Sequence, residues 1–112
     1  MGIIRNARRG IAKSVLQNAR KKTAFDIQSS RHYKFLAKLN ESHGNFFEGL
    51  SKDQEQRGLH SHAKVVKLMA DDAHSKSAEF AKAHLKHRLA SFMVREKARR
   101  LARSIAGKRK GA

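Results

Sequence analysis

The chain has no cysteine, no proline and no tryptophan. Without cysteine there is no disulfide framework, no thiolate nucleophile and no sulfur ligand for a metal. Without proline, nothing in the backbone chemistry forces a helix to stop. Aromatic residues make up 6% of the 112 residues and apolar residues 39%, which points to one small domain that takes part of its stability from a partner. Acidic residues are also scarce, nine Asp and Glu against 26 Lys and Arg. There is no run of 18 apolar residues, so no spanning helix is expected. No glycine-rich phosphate loop, strand alternation or solenoid-length repeat is found.

What remains is positive charge and helix-forming sequence. The net charge of +17 calls for an anionic partner: nucleic acid, an anionic membrane or an acidic protein. The charge sits at the two ends. Residues 1–22 carry seven basic residues and no acid, and residues 95–112 carry eight basic residues and only Glu96. The stretch between them has eleven basic and eight acidic residues. The pattern predicts a middle that folds and ends that touch polyanion.

Gly2–Lys22 reads as a basic amphipathic helix, with Ile4, Ala7, Ile11, Val15 and Ala19 on one stripe and Ala12 and Leu16 on its flank. An acid-free, arginine-rich start of this kind also resembles a mitochondrial transit peptide, and it suits an anionic membrane surface. Thr23–His43 reads as a second helix, started by Thr23 and Asp26 and ended by Gly44. Phe25, Tyr33 and Phe35 lie there among Arg31, His32, Lys34 and Lys38. A base-stacking platform is one reading, and a place in the core is the preferred one. Gly44, Gly49 and Ser51 predict a chain reversal over 44–51, anchored by Phe46 and Phe47.

Ser51–Gly107 reads as one long helix. Ser51 serves as N-cap and Gln54 completes a capping box, while Gly107 follows a last turn rich in arginine. Gly58 is a weak point inside its first turns. Projected at 100° per residue, its apolar positions form three stripes: Leu59, Val66, Ala70, Ala73 and Phe80; then Ala81, Leu85, Leu89 and Phe92; then Val94, Ala98, Leu101 and Ile105. Three stripes mean either a broken helix, with Asp71-Asp72 as one restart, or several neighbours along its length. The chain is thus expected to be all-α: an elongated helical hairpin over 23–106, a basic amphipathic N-terminal helix over 1–22, and a flexible basic tail over 107–112.

Chemistry is thinly represented. His60 and His62 are two apart and diverge on a helix, whereas His84 and His87 share a face without enough nearby ligands. Asp71 and Asp72 also diverge. No metal, cofactor or catalytic set is assigned, and the chain is read as non-enzymatic. The preferred reading is a sequence-independent nucleic-acid-binding structural protein in a larger assembly, in the interior of a virion or in a cytoplasmic nucleoprotein. Its phosphate contacts would be Arg5, Arg8, Arg9, Lys13, Arg20, Lys21 and Lys22 at one end, and Arg95, Lys97, Arg99, Arg100, Arg103, Lys108, Arg109 and Lys110 at the other. In composition and in its Gly-Lys-Arg-Lys-Gly-Ala tail the chain is similar to small basic internal proteins of viruses and phages, and also to ribosomal proteins. The alternatives are a scaffold protein of a capsid or other particle, acting through protein–protein contacts, and a membrane-surface protein acting through Gly2–Lys22. No secretory signal is read.

Overall fold

The computed structural model describes residues 2–107 and is an all-α helical hairpin. Helix α1 runs Gly2–Gln56 and helix α2 runs His60–Ile105; the described residues contain no strand. At 1.5 Å per residue, the 55 residues of α1 rise about 80 Å. Contacts group the chain into two units. Unit 1 takes residues 2–28 and 87–107, and unit 2 takes Ser29–Lys86. In both, a stretch of α1 pairs with a stretch of α2.

The reversal lies at residues 57–59, not at 44–51 as the glycines suggested. Gly58 adopts φ +80°, a conformation that costs any other residue energy. The Gly58 N–H donates to the Glu55 carbonyl at 3.1 Å and the Leu59 N–H to the Gln54 carbonyl at 2.9 Å. These two bonds satisfy carbonyls left open at the end of α1, the Schellman arrangement. Gly58 is therefore the turn itself and not a weak point within a helix. Gly107 ends α2 as expected, at φ +71°, with its N–H on the Ser104 carbonyl at 3.2 Å. Lys108, Arg109 and Lys110 lie outside the described residues.

The expected boundaries at 22/23 and 43/44 do not occur, because α1 passes through both. Thr23 is a fully buried residue inside it, and its hydroxyl donates back to the Ala19 carbonyl at 2.9 Å. Ser51 is not an N-cap. It sits inside α1 and donates across the hairpin to the Ala63 carbonyl at 2.8 Å. Helix α2 starts at His60 and is unbroken through Asp71-Asp72.

Small residues at intervals of seven explain both the length and the packing. On α1 one track is Thr23, Ser30, Ala37, Gly44 and Ser51; a second begins with Ala12 and Ala19 and continues through Asp26, Tyr33, Asn40, Phe47 and Gln54. On α2 the tracks are Ala63, Ala70, Ser77, His84, Ser91, Ala98 and Val66, Ala73, Phe80, His87, Val94. Every one of these residues is buried or half-buried. A strict seven-residue repeat is the signature of helices wound left-handedly around one another. One track on each helix is made almost wholly of small side chains, so the backbones approach closely there. Short side chains reach the facing main chain: in unit 2, besides Ser51, the Ser77 hydroxyl donates to the Ala37 carbonyl at 2.8 Å. His84 Nδ1 lies 2.9 Å from the Ser30 carbonyl and 2.8 Å from its hydroxyl, and since a carbonyl only accepts, Nδ1 carries the proton.

The seven-residue repeat also resolves the three stripes. A heptad seam drifts about 20° per repeat when drawn on a straight helix, so Val66 and Val94, four repeats apart, appear displaced by roughly 80°. The first and third stripes are thus largely one seam, and the break that was one of the two explanations for them is absent. The middle stripe lies outside it, with Leu85, Leu89 and Phe92 exposed. The N-terminal stripe divides similarly: Ala12 and Ala19 enter the seam while Ile4 and Ile11 stay outside. Of the aromatics assigned to the core, only Tyr33 is half-buried, stacked on Phe80 at 6.0 Å; Phe25 and Phe35 are exposed.

Candidate nucleic-acid interface

The two basic ends are far apart in sequence, and the antiparallel pairing of α1 and α2 brings both into unit 1. Among its described residues, thirteen Lys and Arg stand against only Asp26 and Glu96. Unit 2 holds ten basic and seven acidic residues and is nearly balanced.

Within unit 1 three arginines line one groove. Arg20 reaches it from α1, and Arg95 and Arg99 from α2, over a floor of Leu16 and Ala19; the groove encloses about 240 Å³. The spacing follows from the seam. Ala19 is on the buried track, so Arg20 is set beside it. Arg95 and Arg99 lie four apart on α2 and share a face. Arg95 is further held from below, its Nε donating to the buried Thr23 hydroxyl at 3.4 Å. Thr23 can accept because its own proton is given to Ala19. The contact uses only one of the five guanidinium donors, and the others remain for an anion. Arg99 makes one exposed contact, to Glu96 at 3.5 Å, which also lies 3.8 Å from Arg100. Exposed pairs of this kind contribute little and yield easily to a better anion.

Arg8 joins the two ends directly. Its guanidinium lies so close to Gly107 that a Cβ there would stand 3.3 Å from Nη1. A cation at the C-terminus of α2 meets the negative end of the helix dipole. Arg103 turns back along α2, its Nε donating to the Arg99 carbonyl at 3.4 Å. Lys97 and Arg100 line a separate surface with Phe92, Met93, Val94 and Glu96. Arg5, Arg9, Lys13, Lys21 and Lys22 are exposed along α1.

No family model, no curated protein and no solved structure matches this chain.

Two contributors escaped the sequence reading. Arg88 lies in unit 1, exposed, one heptad before Arg95; the seven-residue interval was the signal for it. Thr23 was read as a helix start, and only the packing shows it as the support of Arg95. Four of the seven histidines, His60, His74, His84 and His87, have structural partners. His87 Nδ1 donates to Asp26 at 2.7 Å with Phe25 edge-on to its ring, and His74 pairs with Glu48 at 3.2 Å. His60 pairs with Glu55 across the turn. Among the described residues no group of three or more His, Asp or Glu is placed to hold a metal ion, and no helix is long and apolar enough to cross a membrane.

Proposed function

We propose that this chain is a non-enzymatic structural protein that binds nucleic acid without regard to sequence, through the phosphate contacts of unit 1. The observation that carries the reading is the collection of both basic ends into a single unit with two acids, around a groove of three arginines. Three guanidinium groups lining one groove gather positive charge in the free protein, and a phosphate backbone neutralises it while releasing its own counterions. Three cations facing one groove suit the phosphate oxygens of a backbone, a contact that carries no sequence information.

A second reading, a scaffold protein of a particle, is favoured by a separate observation. Large apolar side chains are abundant on the outside, among them Phe25, Leu89, Phe92 and Met93 in unit 1. The two readings are compatible in a protein that touches both a genome and its container.

The test is binding to random-sequence DNA and RNA, single- and double-stranded, across a salt series. Replacing Arg20, Arg95 and Arg99 together by Ala should lower the slope of log K against log salt by about 2–3, at 0.7–0.9 per phosphate contact. Replacing Lys52, Lys64 and Lys67 of unit 2 should leave the slope nearly unchanged. Equal losses from the two triple variants would refute an interface in unit 1.

A further inference from the structure

In unit 2 one seam track on each helix is made of small and polar residues, and several large apolar residues face outward. Leu39 and Phe46 on α1 and Val65, Leu68 and Met69 on α2 are all exposed. The three on α2 share one groove, and the two on α1 adjoin it. Phe47, Val65, Leu68 and Met69 line an open groove with Asn40 and His43, enclosing about 440 Å³. The Phe46 ring meets Phe47 edge to face at 5.6 Å, and Leu39 lies one helical turn from His43 and seven residues from Phe46. We infer that this face of unit 2 is the contact surface for a second copy of the same chain, which would form a symmetric dimer through unit 2.

Charge selects the occupant. A nucleic acid or an acidic protein would be drawn to unit 1, where cations outnumber acids by eleven among the described residues. The groove in unit 2 has one lysine on its rim, Lys76, and it is already paired with Asp72 at 3.1 Å. Such a rim neither attracts an anion nor repels a like copy. Two copies of a chain of net charge +17 can meet only where the local charge is low, and unit 2 is that place.

Area agrees. The five exposed apolar residues leave on the order of 500 Å² per copy, at the upper end of the patches that monomers expose. Paired face to face in two copies, they remove about 1,000 Å² from water before any polar rim is counted, the lower bound for a specific interface. A two-fold contact is self-complementary, so one face serves both copies. The consequence for the proposed function is bivalency: each dimer carries two basic units, and a second phosphate contact becomes intramolecular once the first is made.

The experiment is analytical ultracentrifugation of the full chain, freed of nucleic acid, in 0.5 M salt to screen residual repulsion. The expected mass is twice 12.7 kDa at micromolar concentrations. Phe46→Glu combined with Met69→Glu should sediment as a monomer with its helical circular dichroism retained, since both side chains are exposed within one chain. Leu89→Glu, which changes an exposed apolar residue of unit 1, should leave the dimer intact. Because the protein lacks cysteine, a second arm reports proximity in the otherwise unaltered chain. Met69→Cys should be joined into covalent dimers by a short bis-maleimide, and Lys82→Cys should not. A monomer mass at every concentration, a mass above the dimer, a dimer surviving the double glutamate substitution, or equal cross-linking of the two cysteine variants would each overturn the inference. None of these readouts involves nucleic acid, so failure here and failure of the phosphate-binding reading are separate results.

Discussion

Gly44 is the position where close helix packing in unit 2 makes its sharpest demand. A glycine inside a long helix normally costs stability, and replacing one by alanine in open space gains about 0.5–1 kcal/mol. Gly49 is such a position, with nothing within 4 Å of its would-be Cβ. Gly44 is different, because a Cβ there would stand 2.6, 2.7 and 2.8 Å from three atoms of the His74 ring. The ring would have to move, losing its Glu48 contact and its seat against α1. The exposed-pair share of that loss is at most about 1 kcal/mol, and overpacking adds about 1–3 kcal/mol. Against the propensity gain, Gly44→Ala should destabilise by about 1 kcal/mol, while Gly49→Ala stabilises. At fixed protein concentration, thermal melts followed at 222 nm should move in opposite directions, by about 4–8 °C per kcal/mol. The decisive arm is a double-mutant cycle. In a His74→Ala background, Gly44→Ala should recover the ordinary gain, giving a coupling of about 1–3 kcal/mol between the two sites. If Gly44→Ala stabilises as much as Gly49→Ala with His74 in place, the argument for close approach of the helices is wrong.

Three further substitutions probe the same architecture. Ala70 is 0% exposed on the seam, so Ala70→Leu should cost about 1–3 kcal/mol or shift the pairing of the helices, visible in urea melts and in a changed m-value. Gly58→Ala forces a side chain into φ +80° at the turn and should lower stability by about 1 kcal/mol, whereas Gly10→Ala, in open space on α1, should raise it by a similar amount.

How much could be read in advance depends on which physical signal was local. The all-α class followed from the absence of proline and from helical periodicity, and Gly107 was legible as a stop because a glycine after an arginine-rich turn is a local pattern. The turn was not local in this sense. Gly44, Gly49 and Ser51 together look like a reversal, yet Gly44 and Ser51 are small because α2 passes close by, and Gly49 simply faces open space. The deciding signal was present but non-local: small residues at 23, 30, 37, 44 and 51, matched by 63, 70, 77, 91 and 98. A projection at 100° per residue blurs this seven-residue repeat into separate stripes. The aromatics misled for the same reason. Phe25 and Phe35 fall off the seven-residue tracks that hold Tyr33 and Phe47, so both stay outside.

The sequence by itself determined that the chain is helical, where α2 ends, and that its charge is strongly positive and placed at the two ends, because propensity, capping and charge are properties of short stretches. Only the tertiary structure decided that those ends share one unit, that Thr23 supports Arg95 beside Arg20 and Arg99, and which apolar residues remain exposed. These depend on the register between two helices, which is set by the summed fit of a dozen small side chains and by no single one of them.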